Sequence, residues 1–186
     1  MNVLFIAHAT SWSDRASTAK TAIQRLIDEG QFDQIIEVVQ SHFDIKKQRY
    51  LTHDGLVLEH NEISPVQFLS ERLFGEEPIF PTADEVTLVG GVLNSGGGCL
   101  NYAFEHLIRF HKRVGRKCRI TIPVAAAYRA KGESWEDPMQ VEQCAKDLAW
   151  RLLRAEIPFT LESAGSKPMR VGRNPLIRLK IEGVLR

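Results

Sequence analysis

VTLVGGVLNSGGGCLNYAFEHLI, residues 86–108, decides the fold. Residues 86–89 are a short apolar run closed by two glycines, the pattern of a buried strand. From Asn101 to Arg113 the period changes. Leu100, Phe104, Leu107, Ile108 and Phe110 recur at three-to-four spacing, which predicts a helix with one face on a core, and Gly115 ends it. A strand, a glycine-rich turn and a helix in that order put the turn at the carboxyl end of a parallel sheet, where open α/β folds hold their ligands.

The same alternation extends in both directions. Residues 2–7 read as a buried first strand, and a helix from about Arg15 carries Ala19, Ala22, Ile23, Leu26 and Ile27 before Gly30 stops it. Residues 35–39 complete a strand-helix-strand unit with a right-handed crossover. Residues 49–52 and 56–59 flank His53-Asp54-Gly55, and Asp-Gly favours a tight reversal, so a small hairpin is expected there. Ser64-Pro65 marks the start of a short helix with Val66, Phe68, Leu69, Leu73 and Phe74 on its apolar side. Beyond Gly115, strands are expected at 118–124 and 159–161, with a helix at 138–154 between them. Residues 176–181 alternate as an edge strand should, and 165–174 read as a linker. The expected architecture is one three-layer α/β domain over residues 1–186 with a mostly parallel central sheet. Residues 165–186 form a basic terminal extension holding the edge strand.

Composition narrows the class. A chain of 186 residues is long enough for one sizeable core, and 44% hydrophobic with 25% charged residues is ordinary for a soluble globular protein. No run is long and apolar enough to span a membrane, and the amino terminus lacks the basic leader and length of a signal peptide, so a cytoplasmic protein is expected. Cys99, Cys118 and Cys144 are odd in number and widely spaced, which fits a reducing compartment and no disulfide framework. A net charge of +1 argues against a nucleic-acid surface, although Lys167, Arg170, Arg173, Arg178, Lys180 and Arg186 crowd the last stretch. The expected partners are a small-molecule ligand and further copies of the chain, with no membrane, no nucleic acid and no cofactor.

Chemistry is expected at the turn. Gly90, Gly91, Gly96, Gly97 and Gly98 permit close approach by a ligand, and Asn94 and Ser95 add polar side chains. The spacing is neither that of a Walker A loop nor that of a dinucleotide fingerprint. Cys99 at the helix start is a candidate nucleophile, because amide donors and the helix dipole stabilise a thiolate there; as a small buried hydrophobe it would carry no chemistry. His8 follows the first strand and has the intrinsic pKa of a general base, and it equally suits a polar loop. Asp14 suits a helix cap. Lys46 and Lys47 either bring positive charge to a reacting carbonyl or are solvated. Tyr128, Arg129, Lys131 and Trp135 lie in the loop after the later strand, where Tyr128 and Trp135 can stack on a ligand or anchor the loop. His42, His53 and His60, with Asp44, Asp54 and Glu59 nearby, match no metal-binding spacing, so no metal is expected.

The order of residues 86–91, a loop, Cys99-Leu100 and then Ala103 in a helix resembles the cysteine-containing segment of isochorismatase-like hydrolases. The resemblance extends over roughly residues 2–161. It implies a nucleophile at Cys99, within a catalytic Asp-Lys-Cys arrangement that attacks amide-like carbonyls. In this chain His8 stands where that family has an acidic residue, Lys46 or Lys47 answers to its lysine, and three glycines enlarge the loop before Cys99. The function expected from this resemblance is a small-molecule hydrolase working through Cys99, with His8 and Lys46 as its partners. A noncatalytic ligand-binding or interaction protein of the same fold is the alternative.

Overall fold

A computed structural model describes residues 1–7, 17–40, 51–60, 83–94, 98–128, 135–164 and 166–183. Eight strands form one sheet: β1 (Asn2–Ala7), β2 (Gln34–Gln40), β3 (Leu56–His60), β4 (Glu85–Val89), β5 (Cys118–Pro123), β6 (Phe159–Ser163), β7 (Met169–Val171) and β8 (Ile177–Glu182). Their order across the sheet is β3-β2-β1-β4-β5-β8-β6-β7. Every neighbouring pair is parallel except β6 and β7. Among the described residues the α-helices are α1 (Ser17–Asp28), α2 (Cys99–Val114) and α3 (Pro138–Arg154), with a single 3-10 turn at Val124–Ala126. None of them is long and apolar enough to cross a membrane.

The helices cover both faces of the sheet, which explains the unbroken apolar run of β1. Val3, Phe5 and Ala7 point to the side of α2 and α3, where Leu100, Phe104, Leu107, Val141, Leu148 and Leu152 complete the larger core. Leu4 and Ile6 point the other way and meet Ile23 of α1 together with Val89. The helix ends follow local chemistry. Gly115 closes α2 in the left-handed region at φ 68°, as expected of a C-terminal glycine. Asp137 caps α3 by accepting the Met139 N–H at 2.9 Å, with Pro138 just inside.

Three expectations change. The hairpin around Asp54-Gly55 is not formed among the described residues: β3 lies parallel to β2, with Ile36 opposite Leu56. The reason lies in α1, where Gln24 donates to the Thr52 carbonyl at 3.2 Å and accepts the Thr52 N–H at 3.0 Å. Those are the groups a strand at residue 52 would need for a ladder. The edge strand expected at 176–181 is internal, since β8 lies between β5 and β6. Its alternation comes from a sheet face, with Ile177, Leu179 and Ile181 buried and Arg178 and Lys180 exposed. The edge on that side is β7, inside the stretch read as a linker. The helix expected after Ser64-Pro65 lies outside the described residues.

Candidate functional site

The chain leaves β1 toward β2 on one side and later returns from β4 toward β5 on the other, so the sheet order reverses between β1 and β4. At the carboxyl end of that pair Gly90 and Gly91 take φ values of 71° and 63°. A Cβ on Gly90 would lie 2.7 Å from the Ala7 carbonyl oxygen; one on Gly91 would lie 2.9 Å from the same oxygen and 3.0 Å from Cys99 Cβ. Glycine is therefore required here both for the left-handed backbone and for the room it leaves. Past the glycines the chain runs beside the segment after β5. The Gly90 N–H donates to the Ala126 carbonyl (2.7 Å), the Tyr128 N–H to that of Gly91 (2.8 Å), and the Leu93 N–H to that of Tyr128 (3.0 Å). At the foot of α2, Gly98 packs so tightly on Val92 that an added Cβ would sit 2.1 Å from the Val92 oxygen.

Cys99 is the first residue of α2 and is partly exposed, whereas Cys118 and Cys144 are buried; no disulfide joins them. Burial raises the Cys99 pKa, and the amides of Val92 and Cys99 only partly offset it. The desolvation cost of a thiolate thus outweighs the helix start, contrary to the acidified thiol expected. Burial lifts Cys118 further, to about 12.

Other expected residues divide between scaffold and rim. The Asn94 backbone is held by Asn101, which is wholly buried: its Oδ1 accepts the Asn94 N–H at 3.2 Å, and its Nδ2 donates to the Asn94 carbonyl at 3.0 Å. The same Nδ2 reaches Asp147 at 3.2 Å, and Asp147 accepts from Arg151 Nε at 2.9 Å. Trp135 anchors its loop by donating Nε1–H to the Ala127 carbonyl at 3.1 Å. Tyr128 is buried beside Ala19 and Val92. Its phenol is kept un-ionised, by burial first and then by the negative charge of Glu37. His8, Lys46, Ser95, Gly96 and Gly97 lie outside the described residues, so the structure brings together Gly90, Gly91, Asn94, Gly98, Cys99 and Tyr128 from the expected set.

One pairing was not anticipated. The side chains of Glu37, in the middle of β2, and of His53 are buried, and His53 Nε2 lies 2.7 Å from Glu37 Oε2. The Gly55 N–H donates to His53 Nδ1 at 3.0 Å, so the imidazole proton sits on Nε2 and points at the carboxylate. The signal in the sequence was an acidic residue interrupting Ile35-Ile36-Glu37-Val38-Val39; its partner sixteen residues on followed from no spacing rule. His53 is thus engaged by a carboxylate, and no group of three or more metal-binding side chains occurs among the described residues.

Fold and site together define a doubly wound α/β domain with a glycine-lined rim at its switch point. Compared with protein-family models, with curated proteins and with solved structures, the chain matches none.

Proposed function

We propose that this domain binds a small molecule at the switch point between β1 and β4, against Gly90, Gly91 and the first turn of α2. The supporting observation is the pair of glycines whose backbone lies flush against Ala7 and Cys99, leaving main chain instead of side chains at the carboxyl edge of the sheet. Backbone N–H groups at a helix start suit a carboxylate or phosphate on the ligand. That no disulfide joins Cys99, Cys118 and Cys144 suits a reducing compartment. A thermal-shift screen of small metabolites tests the proposal when repeated on Cys99→Phe, which fills the rim. Compounds that raise the Tm of the natural protein should leave the variant unmoved; equal shifts in both place the ligand elsewhere.

A second reading is amide or related carbonyl hydrolysis by Cys99, in keeping with the resemblance to isochorismatase-like hydrolases. What favours it is the pair of amides, of Val92 and of Cys99 itself, that bear on the sulfur; donors of this kind stabilise developing negative charge. On this reading Cys99→Ser removes turnover of an amide substrate while the ligand still raises the Tm. Unchanged turnover in Cys99→Ser sinks it.

A further inference from the structure

Alternation along β8 sends Ile177, Leu179 and Ile181 into the core under α2 and α3, so Arg178 and Lys180 project from the opposite face, the one that carries α1. Thr160 and Glu162 of β6 lie across from them in the register. Between this polar face and α1 runs a groove of about 1050 Å³, bounded by Ala22 and Leu26 of α1, by Pro123, Ala125 and Ala126 at the end of β5, and by Ala164 after β6. The volume is that of a small-molecule site. Its two cations are paired: Arg25 holds Glu29 at 3.1 Å and Lys180 holds Glu182 at 2.7 Å. What the groove offers is apolar surface in contact with water, which favours an apolar occupant.

Lys180 and Glu162 also line a recess of about 330 Å³ that continues from the groove and takes in Arg119, Arg178 and Thr160. One cation in that recess is open. Arg119 holds Glu85 at 2.8 Å. Arg178, exposed between Arg119 and Thr160 in the register, has no hydrogen bond or ion pair among the described residues. Its guanidinium presents a planar fork that matches a carboxylate, and Thr160 adds a hydroxyl donor beside it. A single open cation, with the Glu162 carboxylate also in the recess, suits one negative charge better than a phosphate dianion. Arg178 and Lys180 are two residues apart on one strand, so the fork is rooted roughly 7 Å from the end of the groove.

From an apolar groove whose cations are paired and one unpaired guanidinium in the recess that continues it, we infer that this face binds a small amphipathic carboxylic acid. The apolar body lies in the groove against α1, and the carboxylate meets Arg178. The inference does not depend on the ligand proposed for the glycine rim.

Octanoate, octanol and acetate separate the two parts of such a ligand. In NMR titrations of the natural protein, octanoate should shift the methyl resonances of Leu26 and Ala125 and saturate at concentrations about tenfold or more below those that octanol or acetate requires. Arg178→Gln should weaken octanoate by about tenfold or more, the loss of a charge-assisted contact, and leave octanol unchanged. The variant replaces an exposed side chain without a partner among the described residues, so the fold is kept. Cys99→Phe, which fills the rim, should bind octanoate as the natural protein does. No saturable octanoate binding, equal binding of octanoate and octanol, equal octanoate binding by Arg178→Gln, or loss of binding in Cys99→Phe would each overturn the inference. So would a protein that ignores dissolved octanoate and binds only phosphatidylglycerol vesicles, which makes the face a membrane contact instead.

Discussion

A thiol at the start of a helix is pulled two ways, and Cys99 shows which pull wins when the site is partly dry. Amide donors favour the thiolate, yet burial disfavours it more, so the folded pKa rises. Alkylation of Cys99 by iodoacetamide should therefore be slow at neutral pH and speed up as the pH climbs into the alkaline range. It should still outpace Cys118 and Cys144, which are buried. Peptide mass spectrometry across a pH series reads all three at once, and a Cys99 rate already at its plateau at neutral pH would contradict the raised pKa. Gly90 gives a second test at this scale. In Gly90→Ala the left-handed φ alone costs roughly 1–3 kcal/mol, and the approach to Ala7 adds to it. Gly115→Ala meets no atom within 4 Å, so it should lose only that same strain of roughly 1–3 kcal/mol. Urea unfolding that finds Gly115→Ala the more damaging would contradict the close approach. The need for a tight turn at Gly90-Gly91 was legible in the residue types. The pKa direction of Cys99 was not, since it depends on how much water the fold removes.

Among the elements, α2 joins the rim to the rest of the core. Asn101 ties the end of the descending loop to α2 and, through Asp147, to α3. Replacing it with alanine leaves the Asn94 backbone groups and Asp147 without that partner, at a cost of about 1–3 kcal/mol. Hydrogen exchange at the Asn94 amide should accelerate in Asn101→Ala; unchanged exchange there would show that the tie is immaterial. At the other end of α2, His111 is wholly buried, donates Nδ1–H to the Arg116 carbonyl at 3.2 Å and leaves Nε2 without a partner. Burial lowers its pKa from 6.5. The unfolded chain then takes up a proton before the folded one does. Stability from this group is complete above pH 6.5 and declines as the pH falls from there toward the lower folded pKa. His111→Asn, which keeps a donor near Arg116, should flatten the fall in stability over that acid window. Burial lowers His106 too, so part of the slope remains. An identical slope in the variant would contradict a buried neutral His111.

Most elements were readable because period reports burial: β1, β2, β4, β5 and β6 as apolar runs, and α1, α2 and α3 as one-sided helices. The failures share a cause. Alternation along residues 176–181 reveals two unlike faces and is silent about which strands lie alongside, so β8 passed for an edge. Met169–Val171 is short and exposed, leaving β7 no hydrophobic signal at all. The partner of β3 depended on Gln24, a contact made across 28 residues.

On the scale of the whole molecule, the described residues cover the sheet unevenly, and that bears on where a ligand goes. One face is packed by α2 and α3 along its length. On the other face, α1 covers the β1 region, while Arg119, Thr121, Thr160, Glu162, Arg178 and Lys180 share a polar surface farther along. Between them runs a groove of about 1050 Å³ bounded by Leu26, Arg25, Ala126, Lys180 and Glu182. Its cations and anions already face one another, as in the Lys180–Glu182 pair at 2.7 Å. The switch point differs in combining bare backbone with a helix start. The place of that edge was legible from the order of strand, glycine turn and helix, whereas Glu37 and His53 become a pair only when residues 51–55 fold back beside α1. The most direct test of a ligand at this edge is the alkylation rate of all three cysteines, measured with and without a compound that raises the Tm. The account predicts that the compound slows Cys99 by about tenfold or more at saturation, following its occupancy, and leaves Cys118 and Cys144 unchanged. A compound that stabilises the protein while Cys99 reacts at its original rate would contradict it.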